Sequence, residues 1–395
     1  MGTPRPTNFA EDWGHLRETL FQAFRMSEAK VRWGILSTAE IARKNWKAIF
    51  NSGNGILTAV ASREEQRSRD FIALCQREAA FEPMPRALAG YEALLAAKDI
   101  EALYIPLPTG LRAEWVIRAA QAGKHVVCEK PCARSVVELR EMLEACRRHR
   151  VQFLDGVMFI HSRRLERLRE VLDDGRSIGK VKRIASAFSF GAPPEFFVTN
   201  IRSHSELEPF GCLGDLGWYC IRFALWAMKF QLPRRVSGRI LSQRGRCDSP
   251  APVPVEFSGE LWFDGGVSAG FYCSSITELQ QWAHVSGTKG SLRLTDFVLP
   301  DHGSELGFEV SNPAYRISGC DFDMDPGSRH IIVSEHSHSH PSAQETNLFR
   351  NFANQIRSGS LNDAWPEMAL MTQQVMEACL ASAHAEGRVV ECASA

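Results

Sequence analysis

The chain has 395 residues, 44% of them apolar and 23% charged, with 46 Lys+Arg against 46 Asp+Glu. That length exceeds what one hydrophobic core normally fills, so two domains are expected in a globular protein. Balanced charge leaves no global field to recruit nucleic acid or an anionic membrane, and the most apolar patch, 218–228, is too short to span a bilayer and is broken by Arg222.

Residues 1–25 carry neither an apolar core nor a twin arginine, so they do not form a secretory signal. Met1-Gly2 opens like a myristoylation signal, but Pro6 stands where Ser or Thr is needed. Residues 1–29 are therefore expected to be an extension, with Met26 as an alternative start. The eleven cysteines are scattered without a C-x-x-C or metal-ligand spacing, which fits reduced thiols in a cytoplasmic protein.

Residues 31–36 predict a strand. Ser37-Thr38 offers a cap, and 39–50 has helical spacing at Ile41, Ala42, Trp46 and Ile49. Residues 53–55 turn the chain into a second strand, 56–61. Strand, small-residue turn, helix and strand form the first unit of a dinucleotide-binding fold. Of the glycine fingerprint G-x-G-x-x-G only Gly34 remains, because Leu36 and Ala39 occupy the other two positions. Ser37, Thr38 and Ala39 are small, and a helix start offers free N–H groups to a pyrophosphate; a generic βαβ crossover would use the same residues. At the end of the second strand, Ser62-Arg63 replaces the carboxylate that holds the ribose of NAD. A hydroxyl and a guanidinium suit a 2′-phosphate, so NADP is expected, with NAD as the alternative.

Residues 64–80 predict a helix, 81–86 a proline-broken loop and 91–98 a short helix. Residues 102–107 predict a strand ending in Pro106-Leu107-Pro108, whose prolines stiffen the end nearest the nucleotide. An amphipathic helix over 111–123 leads to the buried run Val126–Cys128 and then to Glu129-Lys130-Pro131. In a parallel sheet, ligands bind beyond the carboxyl ends of strands, where Lys130 would stand; taken alone the fragment reads first as a solvated strand-end ion pair, and the units upstream reverse that reading. Ser135 and Glu138 form a capping box for a helix to Arg148, and 151–157 is the last strand before a crossover.

The succession Gly34-Ile35-Leu36-Ser37-Thr38-Ala39, Ala61-Ser62-Arg63, Tyr104-Ile105-Pro106-Leu107-Pro108-Thr109 and Gly123-Lys124-His125-Val126-Val127-Cys128-Glu129-Lys130-Pro131 resembles the Gfo/Idh/MocA oxidoreductase family. Within it the chain resembles the dimeric dihydrodiol dehydrogenase and NADP-dependent D-xylose dehydrogenase branch. The resemblance covers about residues 30–390.

Downstream, 161–172 predicts a charged helix with Leu165, Leu168 and Leu172 inward. Strand-like runs follow at 182–190, 235–243, 253–263, 266–274, 282–287 and 291–296, joined by glycine-rich turns. They predict a large open, mainly antiparallel sheet. The expected fold is an α/β Rossmann-type domain (30–157), an α+β substrate and dimerisation domain (158–342), and C-terminal helices (343–395) bracing the domain interface. The resemblance implies a homodimer closed through the C-terminal sheet.

From Gly214 to Met228 the spacing is helical, which stacks Asp215 and Tyr219 on one face with Arg222 on the same stripe. A stripe of Leu216, Cys220, Phe223, Ala224 and Ala227 is expected to be buried opposite. By itself Tyr219 could be a core-edge tyrosine with a satisfied hydroxyl. The family pattern Asp-x-Gly-x-His, with tyrosine for histidine in this branch, matches Asp215, Gly217 and Tyr219. The resemblance thus implies Lys130 and Tyr219 as the catalytic pair.

The expected chemistry is oxidation of a carbinol, with Tyr219 as proton acceptor, its pKa lowered by Lys130. Glu129 would hold Lys130 and sit beside the cofactor, Asp215 would orient the substrate, and Arg202 would bind it. Phe159, His161 and His204 are pocket candidates from position alone. The substrate is expected to be a sugar, oxidised at a pyranose C1 hydroxyl, or a trans-dihydrodiol; a tightly held recycled cofactor, as in glucose–fructose oxidoreductase, or a non-catalytic NADP-sensing regulator are the alternatives. His336, His338 and His340 alternate as ligands on a strand would, with His330 close in sequence, but no cysteine or carboxylate set completes a site, so a polar loop and no metal are expected.

Overall fold

The structure, a computed structural model, describes residues 30–392; the extension at 1–29 and the alternative start at Met26 lie outside the described residues. Six parallel strands form the first sheet in the order β3-β2-β1-β4-β5-β6. They are β1 (Val31–Leu36), β2 (Gly55–Ser62), β3 (Arg86–Ala89), β4 (Ala102–Ile105), β5 (His125–Cys128) and β6 (Phe153–Asp155). Strands β4 and β5 are short, nearly wholly buried apolar runs, as a sheet covered on both faces requires. The crossovers are α1 (Ile41–Ser52), α2 (Glu65–Gln76), α3 (Tyr91–Ala96), α4 (Thr109–Gln121) and α5 (Val136–Arg148). Ser135 caps α5 as expected, its Oγ accepting from the Glu138 N–H at 3.1 Å. Strand β3 was not expected: four residues in a proline-broken stretch carry no periodicity, and only pairing with β2 makes them a strand.

The second sheet has nine strands in the order β16-β13-β12-β11-β7-β10-β9-β8-β17. These are β7 (Val181–Gly191), β8 (Arg235–Arg244), β9 (Val253–Trp262), β10 (Ser268–Ser274), β11 (Ile276–Gly287), β12 (Ser291–Leu294), β13 (Glu305–Ser311), β16 (Ser328–Ser334) and β17 (Val390–Glu391). Between β13 and β16 stands a hairpin, β14 (Ala314–Ser318) with β15 (Asp321–Asp325). The large sheet is mixed, since β7 and β10 pair in parallel while its other ladders are antiparallel. Its inner face carries the row Val310, Leu292, Val285, Ile184, Ala269, Leu261 and Val236, all buried. Each of its Val, Leu and Ile side chains contributes about 1.5–3 kcal/mol over leaving it in water. The alternation Leu306, Phe308, Val310 does mark β13, so this strand was legible, though unread.

The helices of this half are α6 (Arg163–Asp173), α7 (Pro194–Thr199) and α8 (Trp218–Ala227), followed by α9 (Gln344–Arg357) and α10 (Ala364–His384). In α8 the expected two-stripe division fails: every residue but Trp226 is buried, because the helix is enclosed between α10 and the sheet. Arg222 consequently turns away from the site and pairs with buried Asp155 at 2.7 Å. The C-terminal segment divides its work. α9 packs Phe349 and Phe352 against Trp33 of the first sheet, at 5.2 and 5.5 Å between ring centroids. α10 braces the two halves, touching β6 and α5 on one side and β8 and α8 on the other. His330 lies in β16, but residues 336–340 are not a strand: His338 has φ +56°, His336 stacks on His340 at 3.7 Å, and His338 stacks on His302 at 5.4 Å.

Candidate active site

A cavity of about 770 Å³ opens where the carboxyl ends of β4 and β5 meet the substrate half. Pro106 and Leu107, beyond β4, line it, as do Glu129 and Lys130, beyond β5, and Asp215 and Tyr219 from the far side. Two local features bring these sides together. Leu213–Gly217 forms a π-helical turn ahead of α8, which carries Asp215. Gly214 lies so close to Pro131 that a Cβ there would come within 2.9 Å of its Cγ. Below them the buried Arg112 guanidinium donates to the Leu107 carbonyl at 2.7 Å and to the Pro131 carbonyl. Glu208 ties the substrate half to the same place, accepting from the Thr109 hydroxyl at 2.5 Å and amide at 3.1 Å.

The charges form a chain. Lys130 Nζ donates to Asp215 Oδ1 at 2.9 Å and to the Asp215 carbonyl, and Arg202 Nε meets Asp215 Oδ2 at 2.8 Å. Burial by itself would raise the Asp215 carboxyl, but the two cations outweigh it and hold it well below the usual range. Lys130 Nζ also lies 4.5 Å from the centre of the Tyr219 ring. The Tyr219 hydroxyl takes no hydrogen bond among the described residues, yet is not sealed in, so it is free toward the cavity.

Two expectations change here and a third is extended. The Tyr219 pKa is raised, not lowered: burial first, then Glu129 and Asp215, push the phenol well above its ordinary value. Glu129 does not hold the Lys130 ammonium, because its carboxylate accepts from Tyr104 at 2.6 Å and Asp215 takes the lysine instead. Asp215 has each oxygen on a cation, so it holds Lys130 and Arg202 in addition to the substrate contact expected of it.

At the nucleotide end, Ala39, Glu40 and Ile41 line the cavity, so the start of α1 borders it, and there the Glu40 and Ile41 N–H groups have no partner among the described residues, whereas those of Ala42 and Arg43 are taken by the Ala39 and Glu40 carbonyls. Gly34 does not: a Cβ there would sit 2.8 Å from Leu103 and 3.0 Å from Leu94, so this glycine serves sheet packing. The loop residue in the left-handed half of conformational space is Ser37, at φ +123°, and its Oγ accepts from the Ala39 N–H at 3.0 Å. Ser62 is buried, its hydroxyl donating to the Glu64 carbonyl at 2.5 Å, which leaves exposed Arg63 as the group at that strand end able to meet a 2′-phosphate. Thr38 and Pro108 flank the cavity residues without lining it.

Phe159 lies behind Tyr219 at 6.2 Å, and His204 does not line the cavity. His161 is buried beside Asn351 and Trp365, and burial, with Arg222 adding, lowers its pKa to about 4. Lys44 and Asn45, one turn into α1, and a wall of Phe188, Phe190, Ile201, Leu279 and Leu299 also line the cavity and were not expected. Residues i and i+4 of α1 were recognisable; the wall was not, because its members come from strands and loops far apart in sequence. No group of three or more His, Cys, Asp or Glu placed to hold a metal occurs among the described residues.

Family models match both halves: an oxidoreductase family with an NAD-binding Rossmann fold, GFO/IDH/MocA, over residues 31–156, and the GFO/IDH/MocA C-terminal domain over 165–293. The chain is 32% identical over 286 residues to a dTDP-3,4-didehydro-2,6-dideoxy-alpha-D-glucose 3-reductase of Streptomyces violaceoruber (72% of this chain, 78% of that one). It is 32% identical over 263 residues to D-xylose 1-dehydrogenase (NADP(+)) 2 of Haloferax volcanii (66% and 74%). It is 30% identical over 311 residues to trans-1,2-dihydrobenzene-1,2-diol dehydrogenase of Mus musculus (78% and 86%).

Proposed function

The chain belongs to the GFO/IDH/MocA family of NAD(P)-dependent oxidoreductases acting on CH–OH groups, and we propose that it moves hydride between NADP and a ring carbinol, either a sugar or a trans-dihydrodiol. The observation that carries this is the Lys130–Asp215–Arg202 charge chain beside a free Tyr219 hydroxyl, at the carboxyl end of a nucleotide sheet.

The residues present fit the dinucleotide. The start of α1 would receive the pyrophosphate, Arg63 a 2′-phosphate, and Pro106, Leu107, Glu129 and Lys130 would border the nicotinamide. When bound, the dinucleotide supplies or accepts the hydride. Lys130 donates a hydrogen bond to the substrate oxygen and stabilises negative charge developing there. Asp215 keeps the lysine aimed, and Arg202 adds a second donor. Tyr219, which keeps its proton at neutral pH, gives it to that oxygen during carbonyl reduction; carbinol oxidation is the same path reversed.

An apolar lining of Phe188, Phe190, Ile201, Leu279 and Leu299 shares the cavity with these donors, Phe188 packing on the Tyr219 ring at 5.7 Å. It favours a ring with one hydroxylated edge and one apolar face, so a trans-dihydrodiol or a deoxygenated sugar should be turned over ahead of a fully hydroxylated pyranose. NADPH formation across such a panel tests the order. Tyr219→Phe and Lys130→Met should each lower turnover about 100-fold or more, while Tyr219→Phe leaves NADP affinity, read by fluorescence titration, within about twofold. Turnover retained in Tyr219→Phe would remove the tyrosine from the mechanism.

A further inference from the structure

Exposure sorts the residues around the cavity by depth. Tyr219 and Phe188 are 7% and 5% exposed and the Lys130 side chain 8%, so the reacting groups lie deep. Ile201, Leu299 and Leu279 line the same cavity at 37%, 40% and 66% exposed, so they stand at its opening. Single exposed aliphatic residues are ordinary, but three around one opening form a patch continuous with the site. All three belong to the substrate half, whereas the residues that fit the dinucleotide belong to the nucleotide half. Ile41, also exposed, stands at the start of α1, where the dinucleotide accounts for it. Of the exposed charged residues lining the cavity, Glu40 is paired with Arg43 at 2.8 Å and Arg202 with Asp215 at 2.8 Å.

The backbone that carries the three is irregular and held by side chains. Between Ile276, which pairs with Gly191, and Gln280, which pairs with Ser189, β11 sets Thr277, Glu278 and Leu279 opposite Phe190 alone. A bulge of this kind gives up ladder hydrogen bonds and re-aims side chains. Here it is braced. The Ser189 hydroxyl donates to the Glu278 carbonyl at 2.7 Å, and the Thr277 hydroxyl lies 2.7 Å from that of Tyr272 and donates to the Ser274 hydroxyl at 2.9 Å. Two residues past Leu279, the Gln281 amide grips the Leu299 backbone, donating to its carbonyl at 2.6 Å and accepting from its N–H at 2.7 Å. One strand thus carries Leu279 and fixes Leu299. Ile201 begins a single helical turn, Ile201–Ser203, which Asn200 caps by accepting from the Arg202 N–H at 3.0 Å. Aliphatic surface left in water contributes nothing to folding, and backbone pinned around it is pre-organised to bind.

We infer that Ile201, Leu279 and Leu299 form a second subsite at the mouth, which takes an apolar substituent standing across the ring from the reacting carbinol. The inference deepens the reading of the cavity as a site for a ring carbinol and rests on it. With the carbinol down at Lys130 and Tyr219, the far side of a six-membered ring points to the opening. An alkyl or aryl group there leaves water for the three side chains. The substrate class is then a ring carbinol bearing an alkyl or aryl group, and not a bare polyol.

The test is kcat/KM, with NADP as acceptor, for trans-cyclohexane-1,2-diol and its 4-methyl, 4-ethyl and 4-propyl derivatives, on the wild type and on a Leu279→Ser/Leu299→Ser double variant. In the wild type each added carbon should raise kcat/KM about 2–4-fold, as burial of a methylene does. In the variant the readout is that increment and not the rate on the parent diol, and it should fall below about 1.5-fold per carbon. Its melting temperature should match the wild type, because both side chains lie largely in water. A wild type that oxidises the parent diol without any increment overturns the subsite and leaves the proposed reaction standing. A wild type inert toward the whole series and toward sugars and dihydrodiols overturns the reaction, and the subsite with it. An increment that the double variant keeps overturns the assignment to these leucines.

Discussion

Tyr219 sits in a site that favours its protonated form, because burial, Glu129 and Asp215 all oppose the phenolate. The pH dependence follows with a definite sign. kcat/KM for carbinol oxidation, which reports the free enzyme, should keep rising from pH 7 to 10, and that for carbonyl reduction should stay flat over the same range; an oxidation profile that levels off below pH 8.5 would mean a lowered phenol pKa and contradict the geometry. Ser37 is the other residue whose conformation carries information. A serine at φ +123° is strained by about 1 kcal/mol or more, and its hydrogen bond to Ala39 returns only part of that. Ser37→Gly should therefore raise stability by about 1 kcal/mol in urea unfolding, and Ser37→Ala should lower it. If Ser37→Gly proves less stable, the hydroxyl bond outweighs the strain.

Helix α8 shows how one element can serve both stability and site. Its start presents Tyr219 to the cavity, and one turn on Arg222 meets Asp155 of β6 at 2.7 Å and the Thr372 hydroxyl of α10 at 2.7 Å. Trp218 Nε1 also donates to Asp155, at 3.2 Å. Three elements are thus pinned at one buried carboxylate whose desolvation only a full set of partners offsets. Removing one partner is costly: Arg222→Met should destabilise the fold by about 3–5 kcal/mol, measured by the urea midpoint, because Asp155 is left charged and buried. Adding Asp155→Asn should recover part of the loss; a second substitution that deepens it would show that the pair is not the source. The π-helical turn just before α8 is equally specific in purpose, since it sets Asp215 against both Lys130 and Arg202.

At the scale of the whole molecule, the two sheets meet so that the nucleotide half supplies Lys130 and the substrate half supplies everything Lys130 works with, while Glu208 and α10 hold the halves in register. The sequence determined by itself the first sheet apart from β3, the family, the Lys130 and Asp215/Tyr219 positions and most strands of the second sheet. Those rest on local periodicity and on short contiguous motifs, which need no partner to be recognised. The tertiary structure alone decided that Arg222 faces Asp155, that Asp215 and not Glu129 holds Lys130, and that Tyr219 keeps its proton. Each of these depends on which groups from distant segments share a low-dielectric space, and spacing along a chain carries no record of that. The same holds for the β14–β15 hairpin: alternation in 314–325 was present to be read, but only the register of β13 against β16 fixed the side its apolar residues take.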